Sequence, residues 1–224
     1  MFHHVDWKLD YKDLNTLTVD KERKYETPDG VLYPSVTTVL SILSEDHIRA
    51  WRARVGEEEA NKISHRASTR GTAVHAIIEK YINNVENYGE GFMPHVVNNF
   101  CSVKNVLDAG LGKIYAQEAA LYSRHLRLGG RVDCIAEWNG KLSIIDFKTS
   151  AKLKRKENIE GYFIQECAYA IMWEERTGIP ITQLVTIIAV DNEEPQVFIE
   201  HRDRFSEKLL STIQEYYNRK MFGR

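Results

Sequence analysis

Cysteine and proline are both scarce in this 224-residue chain, which has three of the first and five of the second. Cys101, Cys134 and Cys167 stand isolated, with no CxxC or Cys/His spacing that would suit zinc. Three thiols also fall short of the four that a conventional iron–sulfur cluster takes. They read as small buried hydrophobes in a reducing compartment. Long hydrophobic runs are missing as well: nothing approaches the roughly 18 apolar residues of a membrane span, so no membrane association is expected. Met1-Phe2-His3-His4-Val5-Asp6 has the character of neither a secretory signal nor an Arg-rich transit peptide, which makes cytoplasm the expected compartment. Nor is there an excess of one charge sign. With 30 basic and 32 acidic side chains the net charge is −2, and nucleic-acid binding cannot be argued from overall basicity. A local basic channel remains compatible with that balance.

What is present is the composition of an ordinary globular chain, 43% hydrophobic and 28% charged, long enough for a single large domain over residues 1–224. Residues 1–30 are polar and end in the turn signal Thr27-Pro28-Asp29-Gly30, which suits a short hairpin or an ordered arm. Tyr33-Pro34-Ser35-Val36-Thr37-Thr38-Val39-Leu40 leads into a short apolar helix. From Asp46 to Asn84 helix is favoured, with breaks expected near Val55-Gly56 and around Gly71. Trp51, Ile63, Val74, Ile77, Ile78 and Tyr81 supply its apolar stripes, and Trp51 is expected in the core. Pro94 suits the start of the next helix, which runs to Gly110 and Gly112.

Strands are predicted at 114–122, 126–138 and 141–148, the last two joined by Asn139-Gly140, a strong hairpin signal. A charged connection over 152–158 precedes an amphipathic helix over 159–177 that ends at Gly178. Strands at 184–190 and 196–200 and a helix over 202–220 close the chain. The pattern is α/β, with a central mixed β-sheet flanked by helices. Residues 1–112 form the N-terminal arm and helical region, and 113–224 form the core.

The chemistry concentrates in Gly129-Gly130-Arg131-Val132-Asp133 and Ile145-Asp146-Phe147-Lys148. Alternation along a strand puts Asp146 and Lys148 on one face, with Ile145 and Phe147 on the other. Asp133 and Asp146 offer hard oxygen ligands for Mg²⁺ or Mn²⁺, and the backbone carbonyl of Phe147 is placed to add another. His75 is a further ligand candidate, which shifts preference slightly towards Mn²⁺. Lys148 would orient an attacking water or neutralise charge on a phosphate, a combination suited to phosphodiester hydrolysis. Glu118 has three readings: a second-metal ligand, an anchor for Lys148, or a partner for an arginine. Gln165 and Tyr169 share a helical face, either for the site or for packing the helix on the sheet. Lys152, Lys154, Arg155 and Lys156 make a basic run that serves equally as a solvated loop or a phosphate contact.

Taken in order, Arg-Gly-Thr-Ala-Val-His75, Glu118, Gly-Gly-Arg-Val-Asp133, Ile-Ile-Asp146-Phe-Lys148 and Gln165-x-x-x-Tyr169 resemble the PD-(D/E)XK nucleases of the RecB type. Tyr33-Pro34-Ser35-Val36-Thr37 and the stretch from Asp133 to Leu142 are most similar to the mitochondrial genome maintenance exonuclease branch and its phage and bacterial relatives. The likeness runs from about Tyr33 to about Val190.

The resemblance implies a restriction-endonuclease-like core with an N-terminal helical arch over a channel that admits an unpaired end. It implies a metal-dependent exonuclease on single-stranded or flap DNA, in DNA replication, recombination or repair, or in phage DNA metabolism. Asp133, Asp146, Lys148, Glu118, Gln165 and Tyr169 would form the catalytic set, and His75, Asp133, Asp146 and the Phe147 carbonyl would hold the metal. Ser35, Thr37 and Arg70 join Lys152, Lys154 and Arg155 as DNA-contact candidates. The cysteine set of the iron–sulfur RecB-like relatives is absent, and the missing targeting extension points to a phage or bacterial origin. A monomer is the expected state, with replication or recombination proteins as partners. The rival readings are a structure-specific endonuclease on the same core and a DNA-binding module that does not cut.

Overall fold

Asn139 and Gly140 both take positive φ, 51° and 79°, the pairing that a tight two-residue hairpin turn requires. They join β5 (Leu128–Trp138) to β6 (Lys141–Ser150) at the centre of a five-stranded sheet. Its order is β4-β5-β6-β7-β8, with β4 at Leu111–Ser123, β7 at Gln183–Val190 and β8 at Gln196–His201. All neighbours are antiparallel except β6 and β7. That parallel pair needs a crossover, supplied by α5 (Glu160–Thr177), which stops at Gly178 in the left-handed conformation. The computed structural model describes residues 1–7, 9, 11 and 13–223. The expected arm at Lys8, Asp10 and Lys12, and the last core residue, Arg224, lie outside the described residues.

Period-two alternation sorts the sheet into two cores. Ile144, Leu184 and Ile188 pack with Phe163, Cys167 and Trp173 of α5 and with Leu209 of α6 (Ser206–Phe222). Ile145, Phe147, Val185 and Ile187 pack on the other face with Val74, Ile77 and Ile78 of α3 (Glu57–Ile82). Phe100, Val103 and Leu107 of α4 (Pro94–Gly110) complete that layer, with Pro94 opening the helix as its sequence predicts.

The first thirty residues do more than form a hairpin. A small sheet, β1 (Asn15–Val19), β2 (Glu22–Glu26) and β3 (Leu32–Pro34), precedes α1 (Val36–Leu40). Residues 3–5 hydrogen-bond along Ile114, and His4 Nε2 lies 2.9 Å from the Ile82 carbonyl at the end of α3.

Two expectations are corrected. α2 (Glu45–Val55) does end at Gly56, but α3 runs unbroken through Gly71. A Cβ at Gly71 would stand 3.7 Å from Thr149 Oγ1, so this glycine lies where α3 passes close over β6. Its propensity cost of about 1 kcal/mol is outweighed by the burial of Val74, Ile77 and Ile78 one turn on. Trp51 is half-buried and outside both cores, and Ile63 is 40% exposed, because the N-terminal half of α3 projects beyond the sheet with α2 against it.

Candidate active site

The β5–β6 ladder ends at Cys134↔Ile145. Beyond it β5 continues against β4 as far as Leu128, with a single bridge from Ser35 to Gly129, and β6 continues against β7 as far as Ser150. The sheet therefore forks at the next rung, where Asp133 and Asp146 stand. Parting strands leave backbone donors without a ladder partner, and the side chain of Asp133 takes one: Phe147 N–H donates to Asp133 Oδ2 at 2.8 Å.

Side chains from both helical layers meet in this fork. From α3, His75 brings Nδ1 to 3.6 Å from Asp133 Oδ2, with its ring edge-on to Phe147 at 6.3 Å between centroids. From α5, Gln165 Nε2 donates to Asp146 Oδ1 at 3.3 Å and lies 3.5 Å from the Tyr169 hydroxyl. Asp146 is 1% exposed and ion-pairs through Oδ2 with Lys148. The Lys148 ammonium lies 5.0 Å from the centroid of the Tyr162 ring.

The two glycines before Asp133 answer to these neighbours. A Cβ on Gly129 would meet Tyr25 Cβ at 2.5 Å, and one on Gly130 would meet Tyr169 Cε1 at 2.6 Å. Only a bare backbone fits between β2 and α5 here.

Opposite Asp133 on β4, Glu118 has a φ of 46° in mid-strand. Ligand atoms of His75, Glu118 and Asp133 all lie within 4.8 Å of one another. One imidazole and two carboxylates at that separation fit a divalent cation whose ligands sit about 2.0–2.6 Å away. The electrostatics agree with such a fit. Burial and then the Asp133 charge push the Glu118 carboxyl up to about 7. Burial likewise lifts Asp146 to about 6, against the opposing pull of Lys148. Burial would strip the proton from Lys148, but Asp146 and Asp133 outweigh it and raise its pKa.

The grouping differs from the sequence expectation in one respect. Glu118, rather than Asp146, completes the set around His75 and Asp133, while the Asp146 carboxylate is turned to Lys148 and Gln165. Arg131 is paired with Glu118 only through the backbone carbonyl, and Lys148 is anchored by Asp146.

The DNA-contact candidates scatter. Ser35 is 3% exposed and uses its hydroxyl as the N-cap of α1, accepting from Thr38 N–H at 3.0 Å. Thr37 is exposed on the wall of an 860 Å³ groove that also reaches Tyr162 and Gln165. Arg70 is engaged by Asp191, which also accepts from Asn99. The side chains of Lys152, Lys154 and Arg155 are exposed and have no partner among the described residues, whereas Lys156 pairs with Glu200.

Sequence reading missed Tyr162 and Glu166. Tyr162 was findable, since Tyr162, Gln165 and Tyr169 follow i, i+3, i+7 spacing on one face of α5. Glu166 is fully buried, with the Thr186 hydroxyl donating to it from the β7 residue beside Asp146. Burial and then the Asp146 charge hold its carboxyl well above the usual range.

The profile of the PD-(D/E)XK nuclease superfamily matches residues 93–221, which excludes α3 and His75. Mitochondrial genome maintenance exonuclease 1 of Mus musculus is 29% identical over 129 residues, 54% of this chain and 38% of that protein. The Homo sapiens protein of the same name is 29% identical over 130 residues, with the same coverage of 54% and 38%. The chain thus matches well under half the length of these curated relatives. A crystal structure of a candidate exonuclease from Eubacterium rectale aligns with a TM-score of 0.49 at 15% identity, over 68% of this chain and 65% of that one.

Proposed function

We propose, from the premise that this chain belongs to the PD-(D/E)XK nuclease superfamily, that it is a metal-dependent exonuclease removing nucleotides from free ends of single-stranded or flap DNA. The observation that carries this is the sheet fork, where three acids, a lysine and a histidine from four separate segments converge on one point. Nothing in the packing of either core calls for that concentration of charge, and a cluster of like charges is costly without a cation to hold.

His75, Glu118 and Asp133 would hold Mg²⁺ or Mn²⁺, with Asp146 and the Phe147 carbonyl as further oxygen ligands at the fork. A cation bound there would polarise a water and neutralise charge on the phosphate. Lys148, kept protonated by Asp146 and Asp133, faces the fork as a fixed positive charge for the pentacovalent phosphorus. Gln165 fixes the Asp146 carboxylate, and Tyr169 sets the height of α5 over Gly130. The helices before residue 93 would arch over the entry, and Thr37, Lys152, Lys154 and Arg155 would contact the backbone of the strand. We assign the nuclease unit to the whole chain acting as a monomer, in replication, recombination or repair or in phage DNA metabolism.

End-labelled single strands incubated with Mg²⁺, Mn²⁺ or EDTA test this reading, with a circular strand alongside. Stepwise shortening from a labelled end with either metal, none in EDTA and an intact circle are expected. Cutting of the circle would replace the exonuclease by an endonuclease. Lys148→Ala should lower cleavage by three or more orders of magnitude with folding and DNA binding retained. Near-normal cleavage by that folded variant would remove the assignment of Lys148.

A further inference from the structure

β8 is one edge of the five-stranded sheet, and its first residue, Gln196, is half-buried beside the loop that follows β6. The Gln196 carboxamide bonds the backbone of that loop in both directions. Lys154 N–H donates to Gln196 Oε1 at 2.7 Å, and Gln196 Nε2 donates to the Lys154 carbonyl at 3.0 Å. For one residue, the side chain stands in for a neighbouring strand.

Two further contacts flank this one. Ser150 Oγ donates to the Lys152 carbonyl at 2.6 Å, and Lys152 N–H donates back to the same hydroxyl at 3.3 Å. Lys156 pairs with Glu200 of β8, a carboxylate that is 6% exposed and whose other oxygen holds Arg204 at 2.9 Å. The chain is thus fixed at 152, 154 and 156, although residues 151–158 are all exposed and 151–155 contain no helix or strand.

This anchoring sorts the four cations of the basic run. Lys156 is engaged by Glu200, while the side chains of Lys152, Lys154 and Arg155 have no partner among the described residues. Lys152 lies four residues past Lys148, roughly 13 Å along an extended chain. Shielding the β8 edge would call for the contact to Lys154, but not for three neighbouring cations left unpaired. A loop that meets phosphates benefits from both, because a backbone ordered during folding need not be ordered again at binding.

We propose that Gln196 is a positioning residue for the substrate contact. Through the Lys154 backbone it holds the 151–155 loop, so that Lys152, Lys154 and Arg155 meet the phosphates of the strand as a preformed set. The inference rests on the nuclease reading and adds to it a residue that itself touches neither the strand nor the reacting centre.

The test compares the full parent chain with Gln196→Met, which keeps the length of the side chain and removes both hydrogen bonds; thermal melting confirms that the variant folds. Limited trypsin digestion, with the cut sites read by mass spectrometry, should cleave after Lys152, Lys154 or Arg155 about fivefold faster in the variant, since a protease needs the segment loose. In EDTA, anisotropy of a fluorescein-labelled twelve-residue oligothymidylate should report binding about fivefold weaker in Gln196→Met. The slope of log affinity against log salt should not change, because the same cations still reach the phosphates. Lys152→Ala, Lys154→Ala and Arg155→Ala combined should instead flatten that slope by about 2, at roughly 0.7 for each phosphate contact to a single strand. With Mn²⁺, Gln196→Met should raise KM for the oligomer and leave kcat as it is. Faster digestion with unchanged affinity would reduce Gln196 to an edge contact and overturn the proposal. Unchanged digestion, an unchanged slope in the triple variant, or a loss confined to kcat would overturn it too. Absence of any hydrolysis by the parent chain would instead sink the nuclease reading, with the binding arms in EDTA still deciding the role of the loop.

Discussion

Glu118 shows how much of the site is settled at single residues. Its φ of 46° lies in the left-handed region, where a Cβ costs roughly 1–2 kcal/mol relative to ordinary backbone. The strain is held from outside: Arg131 donates to the Glu118 carbonyl, and Asp13 grips Arg131 through both oxygens at 2.7 and 2.9 Å. The carboxylate stands beside His75 and Asp133, on the rung of β4 opposite Asp133. Glu118→Gly should therefore relieve backbone strain while removing the proposed ligand. We expect it to melt about 2–4 °C above Glu118→Ala, the equivalent of about 1 kcal/mol in a chain this size, with both variants losing metal-stimulated cleavage. A Glu118→Gly protein less stable than Glu118→Ala would show that the kink stores no strain. The acid itself was legible in the sequence. Its conformation was not, because the partner that imposes it, Arg131, lies thirteen residues away and acts through the backbone.

At the scale of elements, α5 and the Gly129-Gly130 end of β5 are fitted to each other across a gap that admits no side chain. With Tyr169 fully packed, Gly130→Ala forces a Cβ to within 2.6 Å of its ring, and either the helix or the strand must give. Overpacking of this kind costs about 1–3 kcal/mol. The expected loss of activity is larger than stability alone implies, since a shift of α5 carries Gln165 away from Asp146. A double-mutant cycle with Tyr169→Ala, read by denaturant unfolding, should show Gly130→Ala to be far milder once the ring is gone. Simple additivity would mean that the contact does not set the spacing. The strands, the Asn139-Gly140 turn and α5 itself were legible because their signals are local: alternation, turn residues, helical spacing. The break expected at Gly71 was not found, since a glycine's local weakness loses to tertiary burial. The fit of Gly130 to Tyr169 joins residues 39 positions apart, and no local pattern encodes it.

Across the whole molecule, the sheet fork gathers acids from β4, β5 and β6 into one buried neighbourhood, and folding without a cation must accommodate their repulsion. Glu118 near 7 and Asp146 near 6 both lie above their unfolded values of about 4.3 and 3.9. Between roughly pH 4 and 7 the metal-free folded chain thus holds more protons than the unfolded chain. Stability then falls as pH rises through that window, and the buried Glu166, whose carboxyl is also held well above the usual range, adds to the decline. Lys148 stays protonated throughout and adds no slope there. Asp146 alone accounts for a decline of about 2–3 kcal/mol if its shift is fully realised. A divalent cation held by these acids would reverse the sign, because it would bind them deprotonated and displace their protons. Melting curves from pH 5 to 8 should accordingly slope downward in EDTA and upward, or flat, with saturating Mn²⁺. Calorimetric titration at pH 6 in buffers of different ionisation enthalpy should register proton release on metal binding. Parallel slopes in EDTA and Mn²⁺, or metal binding without proton release, would mean that Glu118 and Asp146 are not the groups that the cation neutralises. The candidate ligands could be named from sequence because their residue types are rare in apolar strands. Which of them share one cation depends on where the β5–β6 ladder ends, a property of the assembled sheet that only the folded molecule displays.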